Sequence, residues 1–315
     1  DGNFDLNLNT TTGVVSIDSV IGGGTAINTL TTNAGGSTSI NANITTTSDQ
    51  TYLNTVDIEG ETRTLTSNGG AIFFDGTVDS LSTTRRSLVV NAGSGLTTFD
   101  ALVGGTNAMG AISITGSGGL DLDAAVTNAT SLAVTGATDL GGNVTTTDLQ
   151  TYTGAVTLSG ATRFLTSSGG STITFGNTID GTQALNVNTA GTTVFNGNVG
   201  SGTALGAIDI MTGAFDLNAN ITSAASLDVN STTALGGNIT TLGAQVYSGT
   251  ITLDDSGSFT LDSTGNDATD DITTAAIAGV NGGDAENLTL DAGPSGDIII
   301  GGAVSDITNL TITDS

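Results

Sequence analysis

The sequence predicts an all-β fold, a parallel β-helix (β-solenoid) of about 13 coils. Three observations support this prediction. Long blocks recur every 95–100 residues, and self-similarity at a fixed period is typical of stacked repeat proteins. Short apolar-x-apolar runs recur inside the blocks, and this alternation predicts strands with one buried face. The 47 glycines suit a fold with many tight corners, because such corners often need a positive φ.

The long repeat is marked by a Gln-x-Tyr motif, which occurs as Gln50–Tyr52, Gln150–Tyr152 and Gln245–Tyr247. A Gly-Thr segment gives a second register of the same repeat, at residues 24–27, 105–112 and 202–208. Near-copies at the same phase are expected to lie one above another, so that like residues form ladders. We therefore predict that 1–315 is a single continuous β-solenoid and a segment of a longer repeat protein, with blocks at about 1–49, 50–149, 150–244 and 245–315.

A finer unit inside each block sets the number of coils. The first apolar residue of each unit gives 13 starts, usually 20 to 26 residues apart: Leu6, Leu30, Val56, Leu88, Ile112, Leu132, Val156, Leu185, Ile208, Leu227, Ile251, Leu288 and Leu310. No helical periodicity is long enough to supply the crossover helices of an α/β fold. The units are also shorter than the roughly 40–50 residues of a propeller blade. A tandem of β-sandwich domains is the alternative architecture.

The composition excludes several classes of function. A net charge of −26, with Arg63, Arg85, Arg86 and Arg163 as the basic residues, excludes nucleic-acid binding, which needs a basic surface. The same charge disfavours attraction to anionic lipid, and no apolar run approaches the roughly 18 residues of a membrane helix. The chain contains no His and no Cys, so His-based metal sites and His-dependent nucleophiles are excluded.

Carboxylate chemistry is the enzymatic route that remains. Asp121 and Asp123 are two residues apart on a predicted strand, so both are expected on its outer face. Hydrolysis of a glycosidic bond by two carboxylates needs such a pair about 5–10 Å apart. Similar aspartates recur with the repeat, as at Asp5 and Asp228, which is more typical of a solvated face. We therefore expect a non-catalytic protein without an organic cofactor.

One acidic cluster is a candidate calcium site. It comprises Asp254, Asp255, Asp262, Asp267, Asp270 and Asp271, and it falls in the longest unit of the chain. Closely spaced carboxylates suit Ca²⁺, which takes six to eight oxygen ligands. We name Asp267, Asp270 and Asp271 as the candidate ligands. The spacing matches neither an EF-hand nor the calcium-binding nonapeptide, so a solvated loop is the alternative.

Two of the basic residues, Arg63 and Arg163, occupy the same position of the repeat. The simpler interpretation is that each pairs with an aspartate on an adjacent coil, and a ligand contact is the alternative. Arg85 and Arg86 fall in a unit of 32 residues, which predicts a loop insertion there.

The aromatic residues and the sequons are assigned to the framework. Tyr52, Tyr152 and Tyr247 are too far apart in the predicted stack to form one sugar-binding patch, so we place them in the core or at corners. Phe74 and Phe175 match each other in the repeat and are placed inward. The repeat itself generates the Asn-x-Thr sequons, which we interpret as an Asn/Thr-rich strand edge: Asn43, Asn143, Asn220 and Asn238.

The segments 150–158, 169–181 and 184–191 resemble the β-strand repeats of giant bacterial surface proteins, the filamentous-haemagglutinin-like adhesins and their relatives. The resemblance covers nearly the whole chain and is weakest between Ser256 and Glu286. It rests on composition and period, so it is informative about architecture and poor for identifying a ligand. The family implies a long right-handed parallel β-helix, secretion across the outer membrane, and a role in attachment, biofilm or cell-surface structure.

These observations together predict a structural or adhesive shaft of an extracellular filament or cell-surface fibre. Expected partners are copies or neighbouring repeats of the same chain along the fibre axis, together with surface glycans. The alternative is a polysaccharide-binding or polysaccharide-cleaving β-helix, which would need a groove of unique acidic and aromatic residues. Ice binding is a third hypothesis, but the Thr-x-Thr motifs at 172–174 and 311–313 do not recur at a constant phase.

Overall fold

The structure is a computed structural model that describes residues 1–254, 257–265, 267–280 and 286–313. Over these residues it is all-β, without a helix, and its parallel strands are stacked as a β-solenoid of about 14 coils. The predicted fold class is therefore confirmed. Contacts divide the chain into two compact units, Asp1–Ala155 (unit 1) and Val156–Ser315 (unit 2).

Unit 1 contains strands β1–β18, whose bounds are, in order, Leu6–Thr10, Val15–Ile17, Leu30–Ala34, Thr38–Ile40, Ile44–Thr46, Gln50–Tyr52, Val56–Ile58, Thr62–Ser67, Ile72–Phe74, Val78–Ser80, Ser87–Asn91, Thr97–Phe99, Met109–Ile114, Leu120–Leu122, Val126–Val134, Thr138–Leu140, Val144–Thr146 and Gln150–Tyr152. The strands form three parallel stacks, and each coil contributes to all three. The first stack is β1-β3-β6-β9-β12-β14-β16.

The other two stacks of unit 1 share one long strand. The second stack begins β2-β4-β7-β10 and continues through a bridge at Val103 to Val126 of β15 and then to β17. The third stack is β5-β8-β11-β13-β15-β18. Because β15 runs through a corner, its first residues belong to the second stack and its last to the third.

The described part of unit 2 contains strands β19–β38, whose bounds are, in order, Val156–Leu158, Arg163–Ser167, Ile173–Phe175, Ile179–Asp180, Leu185–Thr189, Thr192–Phe195, Leu205–Met211, Ala214–Leu217, Ile221–Val229, Thr232–Leu235, Ile239–Thr241, Gln245–Tyr247, Ile251–Leu253, Ser258–Ser263, Ile272–Thr274, Ile277–Ala278, Asn287–Asp291, Ile298–Ile300, Val304–Ser305 and Asn309–Thr313. Two of its stacks are β20-β23-β25-β27-β30-β33-β36 and β21-β24-β26-β28-β31-β34-β37. The remaining stack includes β19-β22 and, further on, β27-β29-β32-β35-β38.

The core of each unit is built from the apolar positions of the apolar-x-apolar runs. In β14, for example, Leu120 and Leu122 are buried while Asp121 between them lies on the outer face. The buried rings stack from coil to coil in unit 1: the centroid of Phe74 lies 5.0 Å from that of Tyr52 and 4.8 Å from that of Phe99. These distances match the spacing of neighbouring strands, so register alone brings the rings into contact.

The solenoid has about 14 coils where the sequence predicted about 13. One reason is strand β16, where buried Thr138 fills an inward position that the apolar pattern would have reserved for Val, Leu or Ile. In the first stack of unit 1 the register passes from Leu120 to Thr138 in only 18 residues, so this coil is also the shortest there. A coil whose first inward residue is polar is missed when coils are counted by their first apolar residue.

The long repeat does not return the Gln-x-Tyr motif to the same stack, although like residues do pair between neighbouring coils, as Leu122 does with Leu140. Gln50 lies in the first stack of unit 1, paired with Leu30 and Ile72. Gln150 lies in the third stack, paired with Leu132. The block of 100 residues that separates them is not a whole number of coils, so the repeated motif moves to another side of the solenoid.

Replacing certain buried threonines by valine is predicted to stabilise the folded protein. Their hydroxyl oxygens have no hydrogen-bond partner: Thr97, Thr138, Thr193, Thr233 and Thr274. An unsatisfied buried hydroxyl costs about 1–3 kcal/mol, so we expect Thr97→Val and Thr138→Val each to raise the free energy of unfolding by about 1 kcal/mol. Chemical denaturation of the full chain measures this change.

The matched control for these substitutions is Thr46→Val. The Thr46 hydroxyl donates to the carbonyl of Ser48 at 2.6 Å, so its removal should lower stability. If Thr97→Val and Thr46→Val change the free energy of unfolding equally, the unsatisfied hydroxyl of Thr97 is not the reason for the change at Thr97.

Candidate functional site

An acidic patch on the first stack of unit 1 is the strongest candidate for chemistry. Asp121 lies on the outer face of β14, and its registered neighbour in β16 is Asp139. Asp123 follows β14 directly, and its amide donates to the carbonyl of Phe99, the last residue of β12, at 3.1 Å. Asp100 follows β12, so the structure brings together the predicted pair Asp121 and Asp123 with two further carboxylates.

The patch shifts the titration of two of its members. Burial raises the pKa of Asp121, and the charges of Asp123, Asp139 and Asp100 raise it further. Burial also raises the pKa of Asp100, followed by its hydrogen bond with Asp123 and the charges of Asp123 and Asp75. A carboxyl that is harder to ionise, placed beside other carboxyls, is the arrangement from which general acid catalysis can be built.

Asp139 and Asp100 are not among the acidic residues predicted for this patch from the sequence. The signal for Asp139 was present, because 120–122 and 138–140 both read x-Asp-Leu, with aspartate at the outward position. Which strand lies beside β14 is decided by the register of the coils and cannot be read from local pattern. Asp100 is found only because successive coils bring the residues after β12 and β14 to the same corner.

The predicted calcium ligands lie on the segment before β33. Asp270 is buried, and its Oδ2 accepts a hydrogen bond from the amide of Asp267 at 2.7 Å. Oδ1 of Asp271 accepts from the amide of Asp297 at 2.8 Å. Within the described ranges, no group of three or more acidic side chains is arranged to hold a metal ion. Asp255 of the predicted cluster lies outside the described residues.

Calcium binding in this region stays a prediction and has a direct test. Glu286 lies on a different segment, directly before β35; it is fully buried and neither of its carboxylate oxygens has a hydrogen-bond partner. If calcium is bound, a chelator should lower the melting temperature and added Ca²⁺ should restore it, by linkage. A melting temperature that changes neither with the chelator nor with added Ca²⁺ would contradict the prediction.

The contacts described for Arg63 and Arg163 go to amide and carbonyl oxygens. Arg63 donates from Nη2 to Oδ1 of Asn41 at 2.8 Å and from Nη1 to the carbonyl of Thr62 at 2.9 Å, so its partner on the adjacent coil is an amide and not the expected aspartate. Arg163 is buried and donates from Nε to the carbonyl of Ala161 at 2.8 Å. These contacts assign both residues to the framework.

Arg85 joins two coils beyond its own. It lies in the segment between β10 and β11, as the predicted loop insertion requires. Its Nη1 donates to the carbonyl of Met109 at 2.9 Å and its Nη2 to Oδ1 of Asn128 at 2.8 Å. The loop is therefore fixed against the two following coils.

The Gln-x-Tyr motif forms a buried hydrogen-bond network. The Tyr52 hydroxyl donates to Oε1 of Gln50 at 2.8 Å, and Nε2 of Gln50 donates to the carbonyl of Thr66 at 2.8 Å and to Oγ1 of Thr46 at 3.3 Å. Tyr247 and Gln245 repeat the arrangement at 2.9 Å. Burial raises the pKa of Tyr52, Tyr152 and Tyr247 far above the ordinary range. The prediction that the three tyrosines belong to the framework is confirmed, as is the inward placement of Phe74 and Phe175.

The Gly-Thr segment of the second register is held by an aspartate from the preceding coil. Oδ1 of buried Asp79 accepts from the amides of Thr106 at 2.8 Å and Asn107 at 3.1 Å. Asp180 accepts in the same way from Gly202 at 2.7 Å and Thr203 at 3.0 Å. Both aspartates precede their loops by 22–28 residues, so no local sequence pattern predicts these contacts.

The sequon asparagines also hold the next coil. Oδ1 of Asn43 accepts from the amide of Thr64 at 3.0 Å, and Oδ1 of Asn238 accepts from that of Thr260 at 2.9 Å. Asn220 accepts from the amide of Asn238 at 2.8 Å, so these two sequons are joined to each other. The interpretation of the sequons as a strand edge agrees with these contacts.

Comparisons with known proteins do not assign a function to this site. The chain matches no protein-family model, no curated protein and no solved structure. Across the described residues, the structure has no helix with the length and apolar character needed to cross a membrane. The case for function therefore rests on the geometry of the solenoid and of its acidic patch.

Proposed function

We propose that this protein is a non-catalytic structural or adhesive shaft of an extracellular filament or cell-surface fibre. The observation that carries the proposal is the parallel register from coil to coil within each unit, for example Leu6, Leu30, Gln50 and Ile72 in the first stack of unit 1. The repeated Gln-x-Tyr motif forms internal hydrogen bonds in both units. In such a chain each repeated unit adds length to the solenoid, and its internal hydrogen bonds make the solenoid rigid.

The expected partners follow from the same architecture. Parallel strands leave backbone donors and acceptors unpaired at any free edge, and such an edge accepts further coils of the same kind. We infer association along the fibre axis with copies or neighbouring repeats of the same chain, secretion to the cell surface, and contact with surface glycans. The short polar side chains on the outer faces support an extracellular, adhesive role.

Electron microscopy of the native material tests the shaft. Continuous filaments with an axial repeat of about 4.8 Å are the expected result, because that is the spacing of neighbouring strands. Isolated short particles at every concentration would contradict a fibre and would direct attention to the second candidate.

The second candidate is a polysaccharide-binding or polysaccharide-cleaving β-helix, and the acidic patch favours it. Hydrolysis of a glycosidic bond uses one protonated and one ionised carboxyl, and the raised pKa of Asp121 beside Asp123 and Asp139 suits that division. Cleavage of acidic and neutral polysaccharides that is lost in Asp121→Asn but kept in Asp18→Asn would support it. Asp18 is exposed and its Oδ2 accepts from the Ser16 hydroxyl at 3.0 Å, away from the patch.

A further inference from the structure

The sequence contains Asn-Gly pairs at 68–69, 196–197 and 281–282, and the first two lie within the described residues. In such a pair the amide nitrogen of the glycine can attack the side-chain amide of the asparagine, because glycine has no side chain to hinder the approach. Asn68 and Asn196 are both exposed, and each directly follows a strand, β8 and β24. The two pairs differ in how the surrounding coils hold them.

The Asn68–Gly69 pair has an open setting. In the part of the chain that the structure describes, neither the Asn68 side chain nor the Gly69 amide makes a hydrogen bond. Gly69 has φ +116°, and the nearest atom to a Cβ placed there would be Oγ of Ser94, at the ordinary contact distance of 3.4 Å. The atoms that would react are therefore neither bonded to other groups nor enclosed.

The positions on either side of this pair are fixed. The Ser67 hydroxyl donates to the carbonyl of Ser48 on the preceding coil at 2.7 Å. The amide of Gly70 donates to Oγ of Ser67 at 2.9 Å and so closes the corner. The corner is thus held at its two ends, while the Asn68 side chain and the Gly69 amide between them are left uncommitted.

The Asn196–Gly197 pair is held by both neighbouring coils. Oδ1 of Asn196 accepts a hydrogen bond from Nδ2 of Asn218 on the following coil at 2.9 Å. A Cβ placed at Gly197 would lie 2.2 Å from the carbonyl carbon of Asn177, so this glycine packs closely on the backbone of the preceding coil. Reaction at Asn196 therefore requires a local opening that reaction at Asn68 does not.

We propose that Asn68 is a site of spontaneous modification in the folded protein, where attack by the Gly69 amide nitrogen converts the asparagine into aspartate and isoaspartate. The amide nitrogen gives its proton to water and forms a bond to Cγ of Asn68. The bond from Cγ to Nδ2 breaks, and Nδ2 takes up a proton and leaves as ammonia, so that a five-membered succinimide remains. Water then opens the ring at either carbonyl carbon, and no oxidant or reductant is needed.

The modification changes both the charge and the main chain at this corner. It adds a carboxylate to a chain of net charge −26, and the isoaspartate form lengthens the main chain by one atom. Residues 67–70 read Ser-Asn-Gly-Gly and residues 167–170 read Ser-Ser-Gly-Gly, so Ser168 stands at the equivalent position of the repeat and cannot react in this way. This inference is independent of whether the protein is a shaft or binds polysaccharide.

The test follows the Asn-Gly pairs in the folded full chain during storage in mildly alkaline buffer. Samples are digested with pepsin at acidic pH, where the reaction is slow, and the peptides are fragmented by electron transfer, which distinguishes aspartate from isoaspartate. Peptide mapping is needed because the pair at 281–282 lies outside the described residues, and a change in the intact mass could not be assigned to one site.

We expect Asn68 to be converted at least about tenfold faster than Asn196 in the folded protein, because the Asn196 corner must first lose a hydrogen bond and open. In the chain unfolded in guanidinium chloride the two asparagines should react at similar rates, since each is followed by glycine. Equal rates in the folded protein would overturn the proposal. An Asn68 that stays intact in the folded chain and reacts only in the unfolded chain would also overturn it.

A pair of variants gives a second readout. Asn68→Ser copies the residue at 168 and should slow the appearance of acidic charge variants on ion exchange during storage. The matched control is Asn7→Ser, which removes an exposed asparagine of β1 that is followed by leucine and should leave that rate unchanged. Equal rates in the two variants would contradict the assignment to Asn68.

Discussion

We expect Gly104→Ala to be among the most destabilising single substitutions in unit 1. Gly104 has φ +71°, and a Cβ placed there would lie 2.2 Å from the carbonyl oxygen of Asn128 in the next coil. The left-handed conformation costs a side chain about 1–2 kcal/mol, and the clash forces coils apart for about 1–3 kcal/mol more. The free energy of unfolding, measured by chemical denaturation, should fall by about 2–5 kcal/mol.

The matched control is Gly13→Ala. Gly13 also has a positive φ, +96°, but a Cβ there would meet nothing within 4 Å. Alanine at Gly13 should therefore show the conformational cost alone, about 1–2 kcal/mol. If Gly104→Ala and Gly13→Ala lower the free energy of unfolding equally, contact with the next coil is not the reason that position 104 requires glycine. Gly22 and Gly200 hold the same place in the repeat, with φ of +72° and +70°, and should behave like Gly104.

Gln50→Leu is the second substitution from which we expect a large loss. Leucine fills a similar volume but leaves the Tyr52 hydroxyl without its acceptor and the carbonyl of Thr66 without its side-chain donor. Each unsatisfied buried group costs about 1–3 kcal/mol, so the free energy of unfolding should fall by about 2–4 kcal/mol. Tyr52 and Gln50 are both fully buried, so water cannot replace the lost partner.

A double-mutant cycle isolates the network from the change of shape. Tyr52→Phe keeps the ring that stacks on Phe74 at 5.0 Å and removes only the hydroxyl. In the Gln50→Leu background this second change should recover about 1 kcal/mol or more, because it removes the orphaned hydroxyl. Simple additivity of the two substitutions would show that the Tyr52–Gln50 hydrogen bond contributes nothing specific.

The predictions that succeeded depend on local pattern. Alternation in 120–122 places Asp121 outward and its two neighbours inward, and the structure agrees. The tyrosines were placed in the framework because their spacing is too long for one patch. The framework roles of Gln50 and Asp79 could not be predicted in the same way, because each depends on a partner from another segment of the coil stack.

The side of the solenoid on which each copy of the long repeat lies was not predictable from the sequence. Equal residues in a repeat lie above one another only if the repeat is a whole number of coils, and coil length varies with each corner. In the first stack of unit 1 the step from Leu30 to Gln50 is 20 residues, and the step from Ile72 to Thr97 is 25. Variation of this size decides which strands become neighbours, and no local pattern records it.

Alternation, repetition, glycine-rich corners and charge are properties of short segments, and they are enough to identify an acidic β-solenoid. Which carboxylates face each other depends on the register between coils. Asp121 meets Asp139, and Asp209 meets Asp228, because the coils between them have particular lengths. Strand pairing in this solenoid joins residues 17–29 positions apart, so the electrostatics of its surface depend on register and not on neighbouring residues in the chain.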